Sequence, residues 1–247
     1  MRRKEKKTLL QRYKDFRLPL LLELMKWKFI DLYRGIKHPS GLHVYGIWCF
    51  VGIYGGGKTI SLVDYLERMR RKHGDKIRIA TNFYYSGQDF AITKWEDLLP
   101  EYDTPVIFAY DELQNEFNSR EYRSFPVSLM TLLTQNRKGK GKQIVYTTQV
   151  YDTVDTNFRK LTSQVVTCRT ILKRLTHTRT YPREQYDQLF SQTSIDRKLK
   201  IHPISQHWFV QTDELRGKYD SFQMLETAKS KQYMGLSGAS QGESGTA

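Results

Sequence analysis

A chain of 247 residues, 39% of them apolar, can bury one sizeable core in one large domain. Its formal charge of +14 favours an anionic partner, either nucleic acid or a membrane surface. The only two cysteines, Cys49 and Cys168, exclude a disulfide framework and a cysteine-ligated metal site, and imply buried thiols in a reducing compartment.

The charge is uneven. Residues 1–38 hold 12 Lys and Arg against 4 Asp and Glu, which places +8 of the +14 there. Basic and apolar residues alternate at helical spacing, with Leu20, Leu21, Leu24, Trp27, Phe29 and Leu32 forming an imperfect apolar face beside Lys26, Lys28 and Arg34. Pro19 either separates two helices or sits in the first turn of the second. The basic start lacks the unbroken apolar core and cleavage site of a secretory signal. The runs LPLLLELM and YGIWCFVGIYGG are too short to cross a bilayer, so no transmembrane helix is expected. Three readings of this leader stay open: a helix lying on an anionic membrane, an arm contacting DNA phosphates, or a segment packed on a neighbouring subunit. The expected division is a leader over 1–41, a main domain over 42–234, and a disordered Gly/Ser-rich tail over 235–247.

HVYGIWCFVGIY (43–54) reads as a strand running into a glycine loop, and residues 59–71 as a helix with Leu62, Tyr65, Leu66 and Met69 on one face. KIRIATNF (76–83) is a second strand, and WEDLLP (95–100) a helical turn closed by proline. PVIFAYDE (105–112) is an apolar run closing on two carboxylates, the pattern of a buried parallel strand. A helix follows over 127–138, a strand over 142–149, a short helix over 158–164 and a strand over 165–172. The alternation predicts an α/β domain with a central, mainly parallel sheet flanked by helices.

GIYGGGKT (52–59) fits the phosphate-loop pattern G-x-x-x-x-G-K-T. Gly52, Gly55, Gly56 and Gly57 let the backbone curl around phosphates and open onto a helix N-terminus. Lys58 is expected to reach the β- and γ-phosphates of ATP, and the Thr59 hydroxyl to ligate Mg²⁺. Asp111 is the second expected metal-site residue, and Glu112 the group that polarises the attacking water. Gln149, at the end of IVYTTQ, is expected beside Asp111 as a γ-phosphate sensor if the two strands are neighbours. Arg120, Arg123 and Arg159 are candidates for a cation acting in a neighbour's site, with Arg159 placed first. RKGKGK (137–142) is a cationic turn suited to a phosphate backbone or a subunit interface.

In order along the chain, GIYGGGKT, IRIATNF, FAYDELQNEF, QNRKGKGKQIVYTTQ and DTNFRKLT resemble the zonular-occludens-toxin-like ATPases. These are filamentous-phage assembly proteins of the FtsK–HerA branch of P-loop ATPases. WFVQTDELRGKYDSF is similar to the segment closing that domain, and the resemblance spans residues 43–225. It implies ATP bound by Gly57, Lys58 and Thr59, metal and water handled by Asp111 and Glu112, and sensing by Gln149. It further implies a homo-oligomeric, hexameric ring acting on phage DNA in packaging or extrusion, with capsid or membrane assembly proteins as further partners. The family's assembly proteins carry a membrane-spanning helix after the ATPase part, whereas this sequence shows a basic leader instead. The expected location is therefore the host cytoplasm, with peripheral contact on the inner face of the cell membrane. A plasmid or conjugative DNA-transfer ATPase, and a non-hydrolysing nucleotide-binding scaffold linking DNA to membrane or capsid, are the alternatives.

Overall fold

The computed structural model describes residues 18–37, 42, 44–115, 127–135, 140–191 and 201–220. The expected tail, Arg120, Arg123 and residues 137–139 of the cationic turn lie outside the described residues. The chain divides into two units, Met1–Gly41 and Leu42–Ala247. In the first, α1 (Leu18–Lys37) is one continuous helix with Pro19 in its first turn, where a missing N–H costs nothing.

The second unit alternates strands and helices. β1 (Gly46–Val51) leads through the glycine loop into α2 (Lys58–His73). Then come β2 (Arg78–Thr81), β3 (Tyr84–Tyr85), β4 (Phe90–Ala91), a 3₁₀ turn over Trp95–Leu98, and β5 (Val106–Tyr110). They are followed by α3 (Val127–Thr134), β6 (Lys142–Thr148), α4 (Thr156–Leu161) and β7 (Gln164–Ile171). The sequence reading stopped there, but the fold does not. It adds β8 (Leu175–Pro182), α5 (Arg183–Ser191), β9 (Ser205–Val210), α6 (Asp213–Gly217) and β10 (Tyr219–Asp220).

One eight-stranded sheet runs in the order β4-β2-β5-β6-β1-β7-β8-β9, and β10 pairs with β3 in a separate ribbon. The pairings from β4 through β7 are all parallel, while β7-β8 and β8-β9 are antiparallel. Period-two alternation sends neighbouring side chains to opposite faces, so the central strands feed two cores. On one face Phe50, Ile107, Ala109, Val145 and Cys168 pack with Leu62, Val63 and Leu66 of α2. On the other, Cys49, Phe108, Tyr110, Ile144 and Tyr146 pack with Phe158 of α4 and Tyr186 of α5. Each such large apolar side chain contributes about 1.5–3 kcal/mol by leaving water. Both cysteines are free and buried, one in each core.

Order decides where the site forms. β6 lies between β1, which carries the glycine loop, and β5, which ends at the acidic pair. All three run parallel, so their C-terminal ends open on the same edge of the sheet.

Candidate functional site

β1 ends at Val51, and the chain turns back on itself, with Gly56 N–H donating to Ile53 O at 2.9 Å. Three glycines on this turn, Gly52, Gly56 and Gly57, cannot be replaced without moving backbone or a neighbour. A Cβ on Gly52 would sit 2.7 Å from Cys168 O of β7. Gly57 has φ +83°, and a Cβ there would meet Thr170 Oγ1 at 2.3 Å. Gly55 is also left-handed but faces open space, and Gly56 lies close over Ile53 O. α2 then begins at Lys58, with no acidic residue in its first turn. Its first hydrogen bond runs from Ser61 N–H to Gly57 O at 3.0 Å. The N–H groups of Lys58, Thr59 and Ile60 thus have no intrahelical acceptor and form the positive end of the helix. Lys58 folds over the loop and donates from Nζ to Ile53 O at 3.3 Å. These features fit a chain of phosphates: free N–H groups, a cation above them and no competing carboxylate.

The acidic pair meets the loop directly. Thr59 Oγ1 donates to Asp111 Oδ1 at 2.9 Å. Thr147, next to the end of β6, donates to the same oxygen at 2.6 Å and accepts from Glu112 N–H at 2.8 Å. Asn82, just past β2, grips the Asp111 backbone on both sides. Its Oδ1 accepts from Asp111 N–H at 2.8 Å and its Nδ2 donates to Asp111 O at 3.2 Å. Burial pushes the Asp111 carboxyl above the usual carboxylate range, and neighbouring Glu112 adds to this, against the lowering by the Thr147 and Thr59 hydroxyls and Lys58. A buried carboxylate held in this way favours a counter-cation. One hydroxyl and one carboxylate suit Mg²⁺, which binds through few protein oxygens and keeps most of its waters. Among the described residues no cluster of three or more His, Cys, Asp or Glu side chains offers a competing metal cage.

Glu112 turns away from the strand with φ +51°, a left-handed backbone in a non-glycine residue. Its Oε1 accepts from Gln149 Nε2 at 2.8 Å and its Oε2 from Asn115 Nδ2 at 3.1 Å. Gln149 was expected beside Asp111. Instead Thr147 bonds to Asp111 while Gln149 reaches Glu112, one residue further along the facing strand. Arg159 is not brought to this cluster. It lies on α4, where Nη1 donates to Asp152 Oδ1 at 2.7 Å and Nη2 to Thr156 Oγ1 at 3.4 Å. Of the cationic turn, Lys142 is committed within the chain. Its Nζ donates to Leu98 O at 2.7 Å and Leu99 O at 3.1 Å over the Tyr102 ring.

The opposite flank of the loop is braced by residues without reactive groups. Thr170 Oγ1, on β7 beyond the end of β1, donates to Gly56 O at 3.1 Å. Gln211 is buried and donates to Thr170 Oγ1 at 3.1 Å and Thr176 Oγ1 at 2.8 Å. Arg216 of α6 donates from Nη2 to Gln211 Oε1 at 2.7 Å and also to Lys173 O. The sequence reading missed Asn82, Thr147, Thr170 and Gln211. The signal was a polar residue at or just past the end of an apolar strand, available for Asn82 and Thr147 and absent for the other two. A cavity of about 420 Å³ between Arg78, Asp89, Phe90 and Tyr102 touches none of these groups.

A glycine loop between a central strand and a helix, one strand removed from a buried acidic residue, defines the class. The chain has an α/β fold, with a central, mainly parallel sheet flanked by helices. No protein-family model matches the chain, and no curated protein matches it. Among solved structures it is similar to the N-terminal domain of zonular occludens toxin from Neisseria meningitidis, with TM-score 0.44 and 15% identity over 71% of this chain and 99% of that one. It is also similar to the genome packaging NTPase B204 from Sulfolobus turreted icosahedral virus 2 in complex with ATP-gammaS. There the TM-score is 0.41 and the identity 15%, over 68% of this chain and 94% of that one. Such values do not place the chain in either protein's family. Among the described residues no helix is long and apolar enough to cross a membrane.

Proposed function

We propose that this protein is a Mg²⁺-dependent ATPase that couples hydrolysis to moving DNA during assembly of a phage particle, working as a homo-oligomeric, hexameric ring. The observation that carries the hydrolytic part is the Thr59–Asp111 hydrogen bond of 2.9 Å, which joins the phosphate loop to the acidic strand. The choice of DNA rests on the +14 charge and on the ordered segments that resemble phage assembly ATPases.

In this reading the loop N–H groups and Lys58 hold the phosphates, and Thr59 with Asp111 holds the metal. Bound Mg²⁺ supplies charge neutralisation on the phosphate oxygens. Thr147 and Asn82 fix the Asp111 carboxylate and backbone, so little reorganisation is needed when the metal site fills. Glu112 is the base that orients and polarises the attacking water, and Gln149 positions Glu112 rather than Asp111. The hydrogen bonds from Gln149 and Asn115 use one lone pair on each Glu112 oxygen, which orients the carboxylate and leaves a lone pair on each for the water. Arg159 is our candidate for the cation delivered to a neighbouring subunit, for which it would exchange Asp152 for the neighbour's phosphate.

The test is ATP hydrolysis with and without single- and double-stranded DNA, alongside nucleotide binding and oligomer mass. Lys58→Ala is expected to abolish binding or hydrolysis. Glu112→Gln is expected to bind ATP normally and turn over about 10²–10⁴-fold more slowly. Wild-type turnover by Glu112→Gln overturns the assignment of the base. Absence of hydrolysis by the wild-type ring with DNA present favours the scaffold alternative.

A further inference from the structure

We infer that α1 lies flat on an anionic membrane surface, with the Leu22–Met25–Phe29–Leu32 stripe in the lipid and Lys26 and Lys28 at its two borders.

The helix is 20 residues long, about 30 Å, and carries an apolar stripe along one side. Leu22 is 61% exposed, Met25 49%, Phe29 67% and Leu32 62%. Their spacing of three, four and three residues confines them to an arc of about 80°. On the same wheel Lys26 and Lys28 fall about 40° outside the two edges of this arc, one on each side. Glu23 and Asp31 fall about 100° outside them, again one on each side. The far face is not purely polar, because Leu20, Leu24 and Trp27 stand there beside the acids. It is the charges that select the wet side. Lysines flank the stripe where their stems can cover lipid and their ammonium groups reach phosphates, while both carboxylates are kept away from it.

Three other occupants fit less well. Spanning is excluded for this helix by its own charges, and no described helix is apolar enough to cross. A second copy docking stripe to stripe would find no acidic residue at either flanking position to meet Lys26 or Lys28. Antiparallel pairing would set like charge beside like. DNA would satisfy the lysines but leave four exposed apolar side chains in water. An anionic bilayer satisfies both sets at once. The excess of 12 basic over 4 acidic residues in the first 38 draws this end of the chain to the same surface.

The inference does not depend on ATP hydrolysis, and its test needs no nucleotide. The full chain is floated with phosphatidylcholine vesicles and with phosphatidylcholine–phosphatidylglycerol vesicles, at low and high salt. The wild type should float with the anionic vesicles, more weakly as salt rises. Phe29→Ser with Leu32→Ser should reduce the partition about a hundredfold. Lys26→Gln with Lys28→Gln should reduce it about 25-fold on anionic vesicles only. All four positions are exposed, so ATP binding by the variants should stay at the wild-type level. Failure of the wild type to float, or flotation of the serine variant equal to wild type, overturns the inference. So does a drop in oligomer mass or in DNA binding by the serine variant with flotation unchanged, since the stripe then serves a second copy or DNA.

Discussion

The two flanks of the glycine loop do different work with different chemistry. On the β5–β6 flank, buried Asp111 and Thr147 lead to half-buried Glu112 and exposed Gln149 at the sheet edge, a chain of carboxylates, a hydroxyl and an amide. On the β7–β9 flank, Thr170, Thr176, Gln211 and Arg216 form a closed network whose bonds end on the protein itself. One flank is built to exchange partners and the other to keep them. Substitutions should therefore separate: changes on the first flank alter turnover more than stability, and changes on the second lower stability first.

Gly57, between the flanks, should give the largest effect. Gly57→Ala forces a Cβ against Thr170 Oγ1 in a left-handed residue. It should cost about 3 kcal/mol and weaken nucleotide binding at the same time, measured by thermal melting and ATP titration. Next is Thr147→Val, nearly isosteric, which removes the hydroxyl from Asp111 Oδ1 and Glu112 N–H. It should slow turnover by about 2 kcal/mol of barrier, roughly 30-fold, and cost about 1 kcal/mol of stability because Glu112 N–H loses its acceptor. Gln211→Leu should show the reverse, a loss of about 1–3 kcal/mol in unfolding with turnover per folded molecule held. An equal loss of turnover from Gln211→Leu would break the comparison. The smallest effect has the opposite sign. Burial raises the Asp111 carboxyl, so keeping it ionised costs the nucleotide-free fold. Asp111→Asn should stabilise that form slightly at neutral pH, read as a small rise in melting temperature, while abolishing Mg²⁺-dependent hydrolysis. The sign follows from linkage: the native state binds this proton more tightly than the unfolded chain. The advantage of Asn should therefore vanish below the usual carboxylate range and grow as pH rises through the raised value.

This contrast also explains what the sequence revealed. The glycine loop, the Asp–Glu pair and the strands carrying them stand out because apolar runs close on distinctive polar residues. Residues 105–112 and 142–149 were read correctly as strands for that reason, and the sheet order supplies the adjacency that the sequence had left conditional. β8 was missed because Thr176, Thr178 and Thr180 on one face and His177 on the other are buried, yet look like surface residues in a hydropathy pattern. β9 was missed because most of its positions are exposed. The β-branched threonines were the usable signal for β8. In the leader, the face chosen from the sequence mixed residues of both sides. The continuous helix over Leu18–Lys37 supplies the phase that singles out Leu22 and Met25.

The two cysteines make the protein a reporter of its own opening. Cys49 lies in the core on one face of the sheet and Cys168 in the core on the other, beneath α2. Burial drives both thiols up, Cys168 to about 12, so neither presents a thiolate to an alkylating reagent in the folded state. A maleimide should find nothing to react with until a face parts, and the order in which the two sites become labelled would time the loosening of each layer. The same silence leaves a clean background for a single probe thiol placed at Phe29.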